Sequence, residues 1–280
     1  MSETERKTVL ITGSGSGLGR AARLLFVERG WNVASTSRTV TAEHADAGSD
    51  RVLVLPLDVR DPAAVSAAFA ATITRFGRVD CVVNNAGVGL FSVFEATPMA
   101  VVRDLFDTNV FGLMEVTQAA VPHFRDAGDG RLVNLSSGAG IVPEPLMSVY
   151  AATKFAVEGF TESLRYELAG ENVSVALVEP GLVVSTGFLP RSAQTSAAIS
   201  VPSPYQSLVG QMSAVWQREP PDGLATPVAV AEAIFAAATD DPPRLRYVVG
   251  EDAQTSARMR RQTSEPEYDT WATTRYPAPD

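Results

Sequence analysis

Tyr150 and Lys154, four residues apart in the run SVYAATKFAVEGF, carry the clearest chemistry in this 280-residue chain. On a helix that spacing stacks the two side chains on one face. There a fixed ammonium can depress the phenol's pKa toward neutrality and make it a proton donor or acceptor. Lysine is itself a signal here, because only Lys7 and Lys154 stand among twenty-three basic residues. Taken alone, the pair reads more readily as the cover of a solvated helix face, so the surrounding chain must decide.

A second constellation lies near the N-terminus. The apolar run TVLIT leads into TGSGSGLGR, where Gly13, Gly17 and Gly19 open a helical pattern with Ser16 and Leu18 between them. Glycine lets the backbone turn tightly and approach a diphosphate, and a helix start offers unpaired N–H groups and a positive dipole end. The spacing differs from GxGxxG, but the strand-turn-helix context is the one a phosphate cradle requires. The second strand ends in Ser37-Arg38, where an NAD-binding fold places an acid on the ribose hydroxyls. A carboxylate there would repel a 2′-phosphate, whereas a hydroxyl beside a guanidinium binds it, which predicts NADP(H) over NAD(H). Arg20 is a second candidate for that phosphate, and an ordinary surface arginine is the plain alternative for Arg38. Asp58 and Val59, in LPLDVRDP after the third strand, are placed to meet the adenine edge. Asp58 reads equally as a cap for the helix beginning near Asp61-Pro62, although Asp61 is the better cap.

The elements that position these residues follow from periodicity. TVLIT, WNVAST, RVLVLPL, VDCVVN, GRLVNLS, VSVALVEP and RYVVG read as seven strands, with helices at about 17–29, 62–76, 99–127, 150–169 and 227–239. Strands alternating with helices imply right-handed crossovers in a mostly parallel sheet, so the expected fold is a single-domain, doubly wound α/β Rossmann architecture with helices on both faces. The crossover between Arg38 and Arg51 has room only for a short or degenerate helix. Residues 187–226 break the alternation with Ser, Pro and Ala around Phe188, Leu189, Tyr205, Leu208, Met212 and Trp216. An insertion with such apolar anchors reads as a substrate lid, the alternative being a disordered excursion. The domain is expected over 1–250, lid included, followed by a polar extension over 251–280 in which Trp271 and Tyr276 are the few packing residues.

Composition narrows the classes. With 45% hydrophobic and 20% charged residues and no apolar run long enough to span a bilayer, a globular protein is expected, without a membrane anchor. MSETERKTVL has no signal-peptide core, which predicts a cytoplasmic location. The net charge of −9 argues against nonspecific nucleic-acid binding. Cys81 reads as a buried inert thiol. His44 and His123 stand apart without ligand-spaced partners, so no metal site is expected.

Four features converge: TGSGSGLG, NNAG at residues 84–87, Ser137 thirteen residues before Tyr150, and the tyrosine-lysine pair. Together they resemble the short-chain dehydrogenase/reductase superfamily over about residues 7–250. Within it, VLPLDV, DTNVFG, SVYAATKFAVEGF, VEPG and RYVVG look most like the 17β-hydroxysteroid-dehydrogenase-like group. The resemblance implies Tyr150 as general acid/base, and Lys154 as its partner and a holder of the nicotinamide ribose. It implies Ser137, rather than its neighbour Ser136, as the group that polarises the substrate carbonyl. Asn109 matches an asparagine that kinks a helix and holds a water linking the lysine to solvent. Asn85, Ala86 and Gly87 match the turn beside the adenine ribose. After Pro180, Gly181 and Val183 the family has a threonine near the nicotinamide carboxamide. One extra residue in GLVVSTGF makes Ser185 and Thr186 compete for that role, with Thr186 preferred.

The implied reaction is hydride transfer between nicotinamide and a carbonyl or alcohol carbon while Tyr150 moves the proton, with carbonyl reduction the favoured direction if the cofactor is NADP(H). Substrate walls are expected from residues 89–94, 141–147 and the 187–226 lid, mostly apolar and suited to a hydrophobic ketone or secondary alcohol. Glu144 is the exception, either a contact for a polar or cationic substrate group or a solvent-facing carboxylate. An epimerase, dehydratase or natural-product ketoreductase on the same scaffold is the rival reading, with a nonenzymatic NADP sensor behind it. Pairing through the helices at 99–127 and 150–169 is implied as a homodimer or homotetramer, because Phe155, Phe160 and Leu164 are not expected all to face one core.

Overall fold

The computed structural model describes residues 6–40, 50–216 and 222–276. Strands β1 (Thr8–Ile11) and β4 (Cys81–Asn84) are buried at every position. Such continuous burial marks strands covered on both faces. With β2 (Asn32–Ser37), β3 (Val52–Pro56), β5 (Gly130–Leu135), β6 (Val173–Pro180) and β7 (Arg246–Val249) they form one sheet, ordered β3-β2-β1-β4-β5-β6-β7. Every neighbouring pair is parallel. All seven strands expected from the sequence are present.

Because successive strand residues point to opposite faces, the sheet feeds two cores. Val9, Ile11 and Val133 pack with Phe26 and Trp31 beneath α1 (Gly17–Glu28) and with Ile234 of α8 (Pro227–Thr239). Leu10, Val82 and Leu132 pack on the other face, under α2 (Pro62–Phe76), α4 (Gly112–Ala127) and α5 (Ser148–Glu167). This is the doubly wound Rossmann arrangement. Helix α2 starts as the sequence suggests, with Asp61 accepting from the N–H groups of Ala63 and Ala64 and Pro62 in the first turn. His123 accepts from the Val79 N–H at 3.0 Å, a structural role, whereas His44 lies outside the described residues.

Four expectations gain detail. The helix expected at 99–127 spans those residues as α3 (Met99–Phe106) and α4, with a π turn between them at Asp107–Phe111 that contains Asn109, the residue matched to a helix-kinking asparagine. Residues 187–226 hold α6 (Phe188–Ala197) and α7 (Gln206–Trp216), joined through a 3₁₀ turn. The polar tail forms α9 (Glu251–Gln262) and α10 (Glu265–Arg275). Ser264 and Glu267 make a capping box at the start of α10, a pattern of serine and glutamate three apart that was readable in SEPE. Finally, as expected, the three α5 residues do not all face one core: Phe160 and Leu164 pack into it, and Phe155 is exposed. The crossover expected between Arg38 and Arg51 falls mostly outside the described residues.

Candidate active site

Strand order reverses between β1 and β4, and a parallel sheet binds ligands outside the carboxyl ends of its strands at such a switch point. A cleft of about 1410 Å³ opens there. Along one stretch it is lined by Gly13, Ser16, Gly17, Leu18, Ser37, Arg38, Asp58, Val59, Asn85, Ala86 and Gly87. Ser137, Tyr150, Lys154, Pro180, Gly181, Val183 and Thr186 line the next.

The cradle needs its glycines. Gly13 has φ of +66°, and a Cβ there would stand 3.0 Å from the Ala86 Cα, a conformation and approach that side chains resist. Ser16, at the N-cap of α1, makes no side-chain cap hydrogen bond, so the first turn of the helix presents its N–H groups to the cleft. Two residues missed in the sequence hold this loop. Thr12 Oγ1 accepts from the N–H groups of Asn85 and Ala86, each at 3.0 Å, and Asn85 Nδ2 returns a bond to the Thr12 carbonyl at 2.8 Å. Ser14 Oγ accepts from Thr36 N at 2.9 Å and pairs with Ser35 Oγ at 2.8 Å. Gly19 does not line the cleft; a side chain there would collide with Asn85 and the Gly13 carbonyl, so its part is close packing.

At the rim, Arg38 is exposed and Ser37 Oγ donates to the Thr39 carbonyl at 2.8 Å. Asp58 borders the cleft, but Arg60 holds it through bonds of 2.7 and 3.0 Å. The Arg60 hydrogen bond keeps its carboxyl below the usual range, with Arg38 adding a smaller pull. Its carboxylate is thus committed, and Asp61 rather than Asp58 caps α2.

Helix α5 carries Tyr150 and Lys154 on one face, as their spacing requires. Both are buried. Lys154 Nζ donates to the Leu135 carbonyl at 2.8 Å and stands 5.8 Å from the Tyr150 ring centroid. Phe188 of α6 packs on Tyr150 at 5.6 Å. The expectation of a depressed phenol is corrected: burial pushes Tyr150 up to about 12, and the hydrogen bond with Ser137 opposes this. Burial also pushes Lys154 down to about 8, against the opposing charge of Glu158. In a dry site each charged form loses solvation, and here that loss exceeds the help the neighbours give.

Asn109 is buried and does not border the cleft. Its side chain clamps Val88 from both sides, accepting from the N–H at 2.8 Å and donating to the carbonyl at 2.8 Å, and donates to Thr153 Oγ1 at 3.1 Å. Between the two residues proposed after Gly181, Thr186 lines the cleft opposite Gly17, 3.6 Å from where a Cβ would sit, whereas Ser185 is exposed outside it. Cys81 is buried with its thiol pushed up by burial.

A family model described as short chain dehydrogenase matches residues 7–196. An uncharacterised oxidoreductase of Schizosaccharomyces pombe is 34% identical over 260 residues, covering 91% of this chain and 86% of its own. A short-chain dehydrogenase from Streptomyces avermitilis superposes with a TM-score of 0.81 at 32% identity, covering 97% of each chain. A serine dehydrogenase in complex with NADP+ gives a TM-score of 0.73 at 28% identity, covering 87% of this chain and 94% of that one. The chain belongs to the short-chain dehydrogenase family. It is an oxidoreductase of that family.

The far end of this dehydrogenase's cleft is mostly apolar. Phe91, Val93, Val142, Leu146, Met147 and Leu189 line it, whereas Ile141 and Phe94 do not. Ile141 is instead buried under Tyr268 of α10. The C-terminal helices contribute Asp252, Ala253, Ser256 and Arg275, and Tyr276 follows them, wall residues that sequence reasoning missed. Glu144 faces the cleft with Arg275 3.7 Å away, so it is not a free solvent carboxylate. Among the described residues no helix is long and apolar enough to cross a membrane, and no cluster of His, Cys, Asp or Glu could hold a metal ion.

Proposed function

We propose that this dehydrogenase reduces a largely hydrophobic ketone, or oxidises the matching secondary alcohol, with NADP(H) and with Tyr150 as general acid/base. The observation that carries the reading is the convergence of Tyr150, Ser137 and Lys154 on a cleft that begins at the glycine turn and ends in apolar walls. The residues present fit a dinucleotide: Gly13, Ser16 and Gly17 for the diphosphate, Ser37 and Arg38 for a 2′-phosphate, and Val59 beside Asp58 for the adenine. Asn85 to Gly87 would flank its ribose, Lys154 would hold the nicotinamide ribose, and Pro180, Gly181, Val183 and Thr186 would hold the carboxamide. When bound, the cofactor supplies or accepts the hydride.

The chain's own residues do the rest. Ser137 Oγ orients the substrate oxygen. Tyr150 Oη gives its proton to that oxygen as negative charge develops on it. A phenol pushed up to about 12 is fully protonated at neutral pH, which suits it to donate. The ammonium of Lys154 then stabilises the tyrosinate. Asn109 acts at a distance, fixing the Val88 backbone beside Gly87. The 17β-hydroxysteroid-dehydrogenase-like group and pairing through α4 and α5 belong to the same reading. Exposed Phe111 and Phe155 support the pairing.

Titration of the purified protein with NADPH and NADH, followed by a panel of apolar carbonyls monitored for NADPH oxidation, tests the reading. Tyr150→Phe should lower turnover by roughly 10²–10⁴-fold while leaving NADPH affinity within about twofold. Unchanged turnover would remove Tyr150 from its role.

A further inference from the structure

Tyr150, Lys154, Glu158 and Glu162 recur at intervals of four along α5. One side of that helix therefore presents the phenol, its ammonium and two carboxylates in succession. Glu158 is buried, and its Oε2 accepts from Arg246 Nη2 at 2.9 Å. Arg246 also reaches Glu162, and its Nε donates to Glu179 Oε1 at 3.0 Å. Glu179, wholly buried on β6, takes a further bond of 2.7 Å from Arg261 of α9. The second oxygen of Glu158 lies beneath Gly140, where a Cβ would stand 3.3 Å from it and 2.6 Å from Ser136 Oγ. Neither of those buried atoms makes a hydrogen bond of ordinary geometry, although Ser136 is close enough to draw the carboxyl's pKa down.

The charges in this cluster do not cancel among themselves. With all three ionised, Glu158, Glu162 and Glu179 face two guanidiniums, Arg246 and Arg261, and are left with one negative charge. Lys154, one helical turn from Glu158 on the same side of α5, is a further cation and feels the charge of Glu158. Uncompensated charge in a dry interior is strongly unfavourable.

We propose that Glu158 is a positioning residue of the proton-transfer site, the counter-charge that keeps Lys154 an ammonium behind Tyr150, with Arg246, Glu179 and Arg261 fixing it there. This rests on the roles of Tyr150 and Lys154 proposed above. Burial alone drives Lys154 toward the neutral amine, and the charge opposing that drift is Glu158. Burial and then Glu179 hold the Glu158 carboxyl above its usual range, while Ser136 and Arg246 oppose them. The ionisable groups facing Glu158 are Lys154 and Glu162 on α5, Glu179 on β6 and Arg246 on β7, with Arg261 behind Glu179.

The chain's scarcity of lysine makes this measurable without substrate. In full-length protein labelled with ¹³C at the lysine ε-carbon, Lys7 and Lys154 are the two lysine signals. In Glu158→Gln the titration midpoint of Lys154 should fall by about one pH unit or more, with Lys7 unmoved and the alkaline limb of turnover following Lys154. An unmoved Lys154 overturns the proposal, as does a Lys154 that moves while the limb stays. Should the variant not fold, the wild-type signal decides. The Lys154 ε-carbon should show a second inflection as Glu158 titrates, and its absence equally overturns the proposal. Failure to bind NADPH or turn over any carbonyl would instead strike the function proposed above, leaving the lysine titration to be read separately.

Discussion

Arg38 and Asp58 border the same end of the cleft with different freedom. Arg60 holds Asp58, whereas Arg38 is exposed at the rim. A 2′-phosphate arriving there meets a guanidinium rather than an available carboxylate, so Arg38→Asp should weaken NADPH by about tenfold or more and NADH by much less. Equal losses for both cofactors in fluorescence titrations would assign Arg38 to the surface. The proton-transfer pair was legible from the sequence because a spacing of four is a local property of any helix. The phenol's ionisation was not, because it depends on burial under Phe188, which is 38 residues away on another element. Glu158 was written in the same helix at the same interval, but its meaning needed Arg246 and Glu179 from distant strands.

Among elements, the cleft is made by loops that tie one another. The turn after β1 and the turn after β4 meet at Thr12, whose hydroxyl takes two backbone N–H groups. Asn85 N also bonds to the Val83 carbonyl, so Thr12→Val would orphan chiefly the Ala86 N–H. That should cost about 1–2 kcal/mol of stability and weaken both cofactors alike, read from urea unfolding and paired titration. A variant of wild-type stability would show that the tie contributes nothing. The strands themselves were readable as short β-branched runs between turn residues. The π turn was legible only through the match of Asn109 to a helix-kinking asparagine, since the apolar pattern runs on across it and its partner Val88 lies 21 residues away.

At the scale of the whole molecule, the last helices close one wall of the cleft. Ile141 and Val142 are buried against Tyr268, with Trp271 and Met259 packed around them, and Arg261 answers the buried charge of Glu179. Sequence reasoning set this tail aside as polar because α9 carries few apolar residues, yet its Arg261 serves a buried carboxylate. Removing residues 251–280 should lower stability by roughly 1.5–3 kcal/mol for each large apolar side chain fully uncovered, besides the loss at Glu179. A truncated protein with an unchanged unfolding midpoint would mean that the wall stands without them. The packing of α1 on α8 carries a consequence for synthesis. Arg29 and Glu232, which join the two helices, are 203 residues apart, and Phe26 meets Phe235 across the same contact. As the chain leaves the ribosome, the part of α1 that meets α8 waits for its partner until residues 227–239 have been translated, while the rest of that face packs on β1 and β2. Apolar surface exposed over that interval is the kind that promotes aggregation.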